Sequence, residues 1–397
     1  MKILYHHRTA SRDGQSTHIQ EMVSGFRANG HTVKECAPTV EGHNSSGGSN
    51  GWVGRLKKFL PQFVYELAEL SYSLVAYRNL VRNLREFQPD GIYERYNLYL
   101  LAGVWVKKRF GIPLILEVNA PMVIERRQYG GLAWPRLAHM AELYVWKNAD
   151  VILPVTQVLA DYMISKGIDS RRIRVIPNAI NEKHYASLPS CAQAKVALGL
   201  TGRVVIGFTG FVREWDRLDI IVKWIALRAA EQNVHLLVIG DGPARLEVEQ
   251  CAASHGVTDR LTFTGAVDRE QVPALSMAFD IALQTALVPY ASPLCLFEYL
   301  ALSKAIIAPD QPNHHEILTH GVNAFLYDPM DSQGIEKALD ALTLDDKLRE
   351  RLASAAPKVI SSKQLTWRQH AHKVVELFSA IDPAKSSSAR AFGATGS

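Results

Sequence analysis

The sequence predicts an α/β protein of two Rossmann-like, doubly wound domains in tandem, facing a cleft. Three observations carry this reading. Short runs rich in Val, Ile and Leu alternate with amphipathic helical patterns along most of the chain, which is how parallel βαβ units read. The series restarts at VVIGFTG, residues 204–210, after a link over residues 181–202. A chain of 397 residues is also long for one domain and suits two.

The first domain is expected over residues 1–185. KILYHH (2–7) is its first strand, followed by a loop with Gly14 and a helix over 17–28 with Ile19, Met22, Val23 and Phe26 on one face. Asn29-Gly30 stops that helix, and HTVKECAP is the second strand. The Gly14 loop falls at the carboxyl end of strand one, where doubly wound sheets bind ligands, although an ordinary βα turn would look the same. It is not the dinucleotide fingerprint GxGxxG. Residues 41–54 are Ser/Gly/Asn-rich and read as a mobile segment. One or two amphipathic helices follow, separated at Pro61. The plain reading packs them on the sheet. The sharper one makes a peripheral membrane contact over residues 52–63 through Trp52, Arg55, Lys57, Lys58 and Phe59.

PDGIYERY is the next strand, followed by a helix over 99–110. IPLILEVNAP is a strand whose carboxyl end carries Glu117, Asn119 and Pro121. A loop with Glu125, Arg126 and Arg127 leads to a helix through Trp146 and the strand DVILPVT, with Thr156 placed to cap the next helix. RIRVIPNAI reads as a closing strand ending at Pro177-Asn178. The second domain, residues 195–365, continues with the strands VHLLVIG, LTFTG, DIALQTA, AIIAPD and AFLYD. Asp241-Gly242-Pro243 reads as a tight turn. The tail, residues 382–397, is too small and polar to pack and is expected to be disordered.

Apolar residues at 47% and charged residues at 21% are those of a soluble globular protein. No apolar run reaches the roughly eighteen residues of a membrane span, and the first hydrophobic run is too short for a signal peptide. Cys36, Cys191, Cys251 and Cys295 are scattered without a CxxC pair, which favours reduced thiols in a cytoplasm. A net charge of +5 suits anionic ligands or the inner face of a membrane. No nucleic-acid motif accompanies it. The pairs His6-His7 and His314-His315 are adjacent, so they point apart and lack metal-ligand spacing.

The most informative stretch runs from Pro289 to Gly321. Ser292-Pro293 opens a helix whose first-turn N–H groups, from Leu294 and Cys295, suit a phosphate. Glu298 stands in an otherwise apolar helical run, where a carboxylate can accept hydrogen bonds from sugar hydroxyls. A polar position on a helix edge is the plain alternative.

PYASPLCLFEYLALSKAIIAPD resembles the signature of the retaining glycosyltransferases of family 4, in the subgroup that reads SPxKxFEYMA. ADVILPVTQVLADYM, RIRVIPNAI, LLVIGDGP, LTFTGAV and GVNAFLYDP stand in family order around it, over about residues 1–380. The resemblance implies the GT-B architecture and a terminal helix, about 366–380, packing back on the first domain. It implies transfer of a sugar from a UDP- or GDP-sugar to a hydroxyl of a saccharide or lipid-linked acceptor, with no metal and no further cofactor. The donor would meet Gly14, Gly210, Val267, Tyr290, Ser292, Pro293, Leu294, Cys295 and Glu298, with Glu298 on the ribose and the Val267 backbone on the base. The acceptor would meet His18, Glu117 and Arg126.

The match breaks at its most chemical point. The family's Arg and Lys-Gly positions are here Phe211 and Asp216-Arg217, which leaves Arg213 as the first candidate cation for the leaving diphosphate and Arg217 as the second. Asn119 stands where many members carry a histidine that hydrogen-bonds the transition state. Tyr290 replaces a glutamate and Cys295 replaces the subgroup's lysine. With no carboxylate placed as a nucleophile, front-face transfer is the expected route to retention. Two rival readings remain, a non-catalytic partner subunit on the same architecture and a nucleotide-sugar 2-epimerase or phosphorylase. A dehydrogenase is disfavoured by the absent GxGxxG.

Overall fold

A computed structural model describes residues 1–9, 14–38, 61–228 and 230–381. The mobile segment expected at 41–54, the membrane contact except for Pro61 to Phe63, and the tail at 382–397 lie outside the described residues. The chain divides into two compact units. The first takes Met1–Asn178, Tyr290–Ser292 and the chain from Trp367; the second takes Ala179–Pro289 and Pro293–Thr366.

In the first unit the elements run β1 (Lys2–His6), α1 (Gly14–Ala28), β2 (Thr32–Cys36), α2 (Gln62–Phe87), β3 (Gly91–Arg95), α3 (Ala102–Phe110), β4 (Leu114–Val118), α4 (Met122–Tyr129), α5 (Pro135–Asn148), β5 (Val151–Pro154) and α6 (Gln157–Ser165). The sheet is parallel throughout, in the order β2-β1-β3-β4-β5. Its central strands are buried on both faces, so they read as continuous apolar runs such as Ile3-Leu4-Tyr5 and Leu114-Ile115-Leu116. The strand order reverses between β1 and β3, so their carboxyl ends flank the crevice where such sheets bind ligands. Thr156 caps α6 by accepting the Leu159 N–H at 3.2 Å.

Two expectations are corrected here. Glu125, Arg126 and Arg127 lie on the helix α4, not in a loop. That helix is short and polar, but Val123 is buried in the apolar cluster with Tyr99 and Ala138, and its N–H donates to the buried Glu142 carboxylate at 3.3 Å. Residues 173–178 form no full strand. Arg174 and Ile176 donate to the carbonyls of Ile152 and Pro154 along β5, but the ladder is reduced to one isolated bridge before Pro177, which has no N–H to give.

In the second unit the elements are α7 (Cys191–Ala197), β6 (Val204–Thr209), α8 (Leu218–Arg228), β7 (Val234–Ile239), α9 (Arg245–Ser254), β8 (Leu261–Phe263), α10 (Val272–Ser276), β9 (Ile281–Leu283), α11 (Leu294–Ala301), β10 (Ala305–Pro309), α12 (Pro312–His315), β11 (Phe325–Tyr327), α13 (Gly334–Leu344) and α14 (Asp346–Ser362). The parallel sheet has the order β11-β10-β9-β6-β7-β8, so its switch point lies between β6 and β9. Neighbouring strand residues face opposite cores. Ile206, Leu236 and Val238 pack with Trp224 and Leu339 on one side, while Val205, Leu237 and Ile306 pack with Phe279, Phe297 and Tyr299 on the other.

The last helix, α15 (Trp367–Ala380), belongs to the first unit and packs against α1. The approach needs Gly25, because a Cβ there would stand 2.5 Å from the Trp367 carbonyl oxygen.

Candidate active site

In the second unit the side chains of interest gather around the carboxyl ends of β6 and β9. Leu296, Phe297, Tyr299 and Leu300 sink the apolar face of α11 into the core, and Tyr299 Oη accepts the Thr209 N–H at 2.8 Å. That bond fixes α11 to the end of β6. Glu298 is 5% exposed on the same helix, and its carboxylate is paired with the Arg269 guanidinium. The sequence reading missed Arg269. The available signal was its place two residues beyond Val267, in the segment expected to contact the base; Val267 itself is half-buried against the α11 core. Cys295 turns its thiol onto Gln284, donating to Oε1 at 3.2 Å, and burial pushes that thiol up to about 12, so it stays neutral.

The loop after β6 is built from backbone packing. Gly210 donates to Ile239 O and Val212 to Asp241 O, both at 3.0 Å. Gly242 lies so close to this loop that a Cβ on it would stand 2.1 Å from the Val212 carbonyl oxygen. Arg213 projects into solvent between two aromatic rings, 5.3 Å from the Phe211 centroid and 5.0 Å from that of Trp215. Cations are held over ring faces at such separations. Asp216 is buried, accepts the Arg213 N–H at 2.8 Å, and is raised by burial from the ordinary carboxylate range to about 6. Arg217 adopts a left-handed conformation at φ 50° and donates to Asp219 at 3.2 Å on the surface.

Pro293, Leu294, Cys295 and Glu298 sit in the second unit, whereas Tyr290 and Ser292 sit in the first. The Tyr290 carbonyl accepts from Thr156 Oγ1 at 3.0 Å. The Ser292 hydroxyl accepts the Asn178 N–H at 3.0 Å, and its carbonyl accepts from the Asn178 amide. The Tyr290 and Ser292 carbonyls and the Ser292 hydroxyl are thus occupied by Thr156, just after β5, and by Asn178.

The first unit has its own buried polar cluster at the carboxyl ends of β1, β3 and β4. Glu117 receives four donors: Tyr93 Oη at 2.8 Å and Tyr5 Oη at 3.3 Å on one oxygen, Asn119 Nδ2 at 2.5 Å and Arg95 on the other. Burial alone would raise this carboxyl, but the Arg95 guanidinium and the hydrogen bonds of Asn119 and Tyr93 hold it below its ordinary value. Arg95 Nη1 also reaches His18 Nδ1 at 2.5 Å. The same Nδ1 lies 3.0 Å from Glu117 Oε1, so the imidazole faces both the guanidinium donor and the carboxylate acceptor. Burial lowers His18 to about 4, which keeps it neutral. His18, Glu117 and Asn119 lie together in this cluster, joined by Arg95, which the sequence reading passed over. A charged pair inside the strand-forming run IYERY was its signal. Arg126 stands apart, forked onto Glu69, which also pairs with Arg8 at 3.2 Å. Gly14 is the exposed first residue of α1.

Residues 12–184 match the model of Glycosyltransferase Family 4, and residues 193–359 that of Glycosyl transferases group 1. The crystal structure of Anabaena Alr3699/HepE in complex with UDP-glucose is similar to this chain with a TM-score of 0.73 at 18% identity, over 96% of this chain and 100% of that one. The chain has the GT-B fold of the group 1 and family 4 glycosyltransferases. Among curated relatives, the 2-deoxystreptamine glucosyltransferase of Streptomyces kanamyceticus is 29% identical over 46% of this chain and 49% of its own length. The D-inositol 3-phosphate glycosyltransferase of Xylanimonas cellulosilytica is 25% identical over 73% of this chain and 71% of its own. The chain thus spans about half the length of the first of these relatives. Within the GT-B fold, Gly210 and Arg213 follow β6 and Glu298 lies on α11 beside the switch point of the second-domain sheet, while His18 on α1 and Glu117 on β4 lie toward the carboxyl edge of the first-domain sheet.

Proposed function

We propose that the chain is a retaining, metal-independent glycosyltransferase that moves a hexosyl group from a UDP- or GDP-sugar to a hydroxyl of a saccharide or lipid-linked acceptor in polysaccharide or glycoconjugate biosynthesis. The observation that carries this reading is Glu298, a buried carboxylate held by Arg269 on a helix tied to the switch-point strand β6. There Glu298 accepts hydrogen bonds from the donor ribose. Arg213 and the first-turn N–H groups of α11 face the diphosphate and stabilise the charge that grows on it as it leaves. In front-face transfer the bond between the anomeric carbon and the phosphate oxygen breaks. The acceptor oxygen then bonds to that carbon on the same face, and its proton passes to the departing phosphate. The neutral His18 and Asn119 serve the acceptor side. The glucosyl- and glycosyltransferase relatives and the UDP-glucose complex of a neighbour favour a UDP-sugar. No helix among the described residues is long and apolar enough to cross a membrane, so the proposed cytoplasmic enzyme would reach a lipid-linked acceptor peripherally, through residues 52–63.

A thermal-shift panel of UDP, GDP and ADP with their common sugar conjugates tests the reading. One nucleotide family should raise the midpoint, since a ligand at a hundred times its Kd adds about 2.7 kcal/mol. A flat response to all of them would contradict it and favour a non-catalytic partner, with Phe211 and Asp216 read as lost function.

A further inference from the structure

Asp216 is an acid standing where a cation is expected, and the site is built around it. It is 5% exposed, and its Oδ2 accepts the Arg213 N–H at 2.8 Å, closing the turn that presents Arg213. That turn cannot relax easily, because Val212 is fully buried and pinned to Asp241 O and Ala244 N. The charged and titratable groups around Asp216 come from several elements. Arg213 acts on it from its own turn; next along the chain Arg217 pairs with Asp219 of α8, and Asp241, whose carbonyl holds the Val212 N–H, lies 3.5 Å from Arg245. On α11, Cys295 is in electrostatic contact with both Asp216 and Glu298, and Glu298 is paired with Arg269. Among the described residues no cation pairs with the Asp216 carboxylate itself, and an anionic diphosphate set against it would repel its charged form.

We propose that Asp216 is a positioning residue for Arg213 and that a nucleotide-sugar diphosphate binds there together with one proton on the Asp216 carboxyl. This rests on the reading of Arg213 as the diphosphate cation. The protonated carboxyl keeps one oxygen as acceptor for the Arg213 N–H and gains an O–H that can donate to a phosphate oxygen, doing as a neutral donor what a lysine would do as a charge. The carboxyl is already poised for this, raised by burial to about 6, and an approaching anion raises it further. The proton comes from solvent, so binding takes it up and affinity rises as pH falls.

The test is calorimetric titration of the full chain with UDP-glucose, GDP-mannose and ADP-glucose, whose diphosphates do not themselves titrate near neutrality. Each titration is run in two buffers of different ionisation enthalpy. The wild type should take up most of one proton near about pH 7, and its affinity should rise by up to about tenfold per pH unit between about pH 8 and 6. Asp216→Asn keeps the acceptor for Arg213 and removes the titration. It should bind with no proton uptake and a flat pH profile. Asp216→Ala should also bind with a flat pH profile, and more weakly than Asp216→Asn because the acceptor for the Arg213 N–H is gone. Binding by the wild type without proton uptake, or an Asp216→Asn variant that retains the pH dependence, would overturn the inference while leaving the transferase reading intact. No binding of any nucleotide sugar by the wild type would overturn both.

Discussion

Glu117 and Asp216 are both buried carboxylates, and their surroundings treat them in opposite ways. Four donors, the Arg95 guanidinium among them, stabilise the ionised form of Glu117, which is held below its ordinary value. Asp216 has one backbone N–H and is driven up by burial. Separating two titratable groups in this way is how a fold assigns an anion to one place and a neutral acid to another. The Glu117 arrangement also makes a stability prediction. Arg95→Met removes the paired charge and leaves the buried Glu117 uncompensated. Breaking such a buried pair costs about 3–5 kcal/mol. The denaturation midpoint should fall accordingly, and a midpoint close to that of the wild type would show that Glu117 is not ionised in the folded state.

At the level of elements, each strand of both sheets lies inside a run that the sequence marks, most clearly where the strand is buried on both faces and apolar throughout, and less so in β2 (TVKEC) and β3 (GIYER), which carry charges. The exceptions are informative. α4 escapes detection because its stability comes from Val123 in the core and from Glu142 on a different helix, neither visible in the polar string ERRQ. Residues 173–178 carry a strand-like pattern, but Pro177 cannot donate to a ladder. In the site, Glu298 was legible as an acid inside an apolar helix. Arg269 was not, since the ion pair joins residues whose separation in sequence follows no local period. The β6 loop depends on another element in the same way, through Gly242. Gly242→Ala would push a Cβ against the Val212 carbonyl, and overpacking of this kind costs about 1–3 kcal/mol. Because the displaced loop carries Arg213, the variant should lose nucleotide affinity as well as stability. Lowered stability with unchanged affinity would separate the loop from the donor.

For the molecule as a whole, the tandem α/β division is legible because the βαβ series visibly restarts. The strand orders are not, because they depend on where each crossover reverses direction along the sheet, which no stretch of sequence records. Those reversals matter most for function. They set the switch points beside which Glu298 and Arg213 stand in one unit and Glu117 and His18 in the other. The central claim is that Glu298 holds the ribose of a nucleotide sugar. The most direct measurement is a calorimetric titration of wild type and Glu298→Ala with the nucleotide that gives the largest thermal shift. Loss of a charge-assisted hydrogen bond of about 1.5–3 kcal/mol predicts a Kd weaker by about tenfold or more, with the melting profile of the unliganded protein preserved. An equal Kd in the two proteins would contradict the assignment.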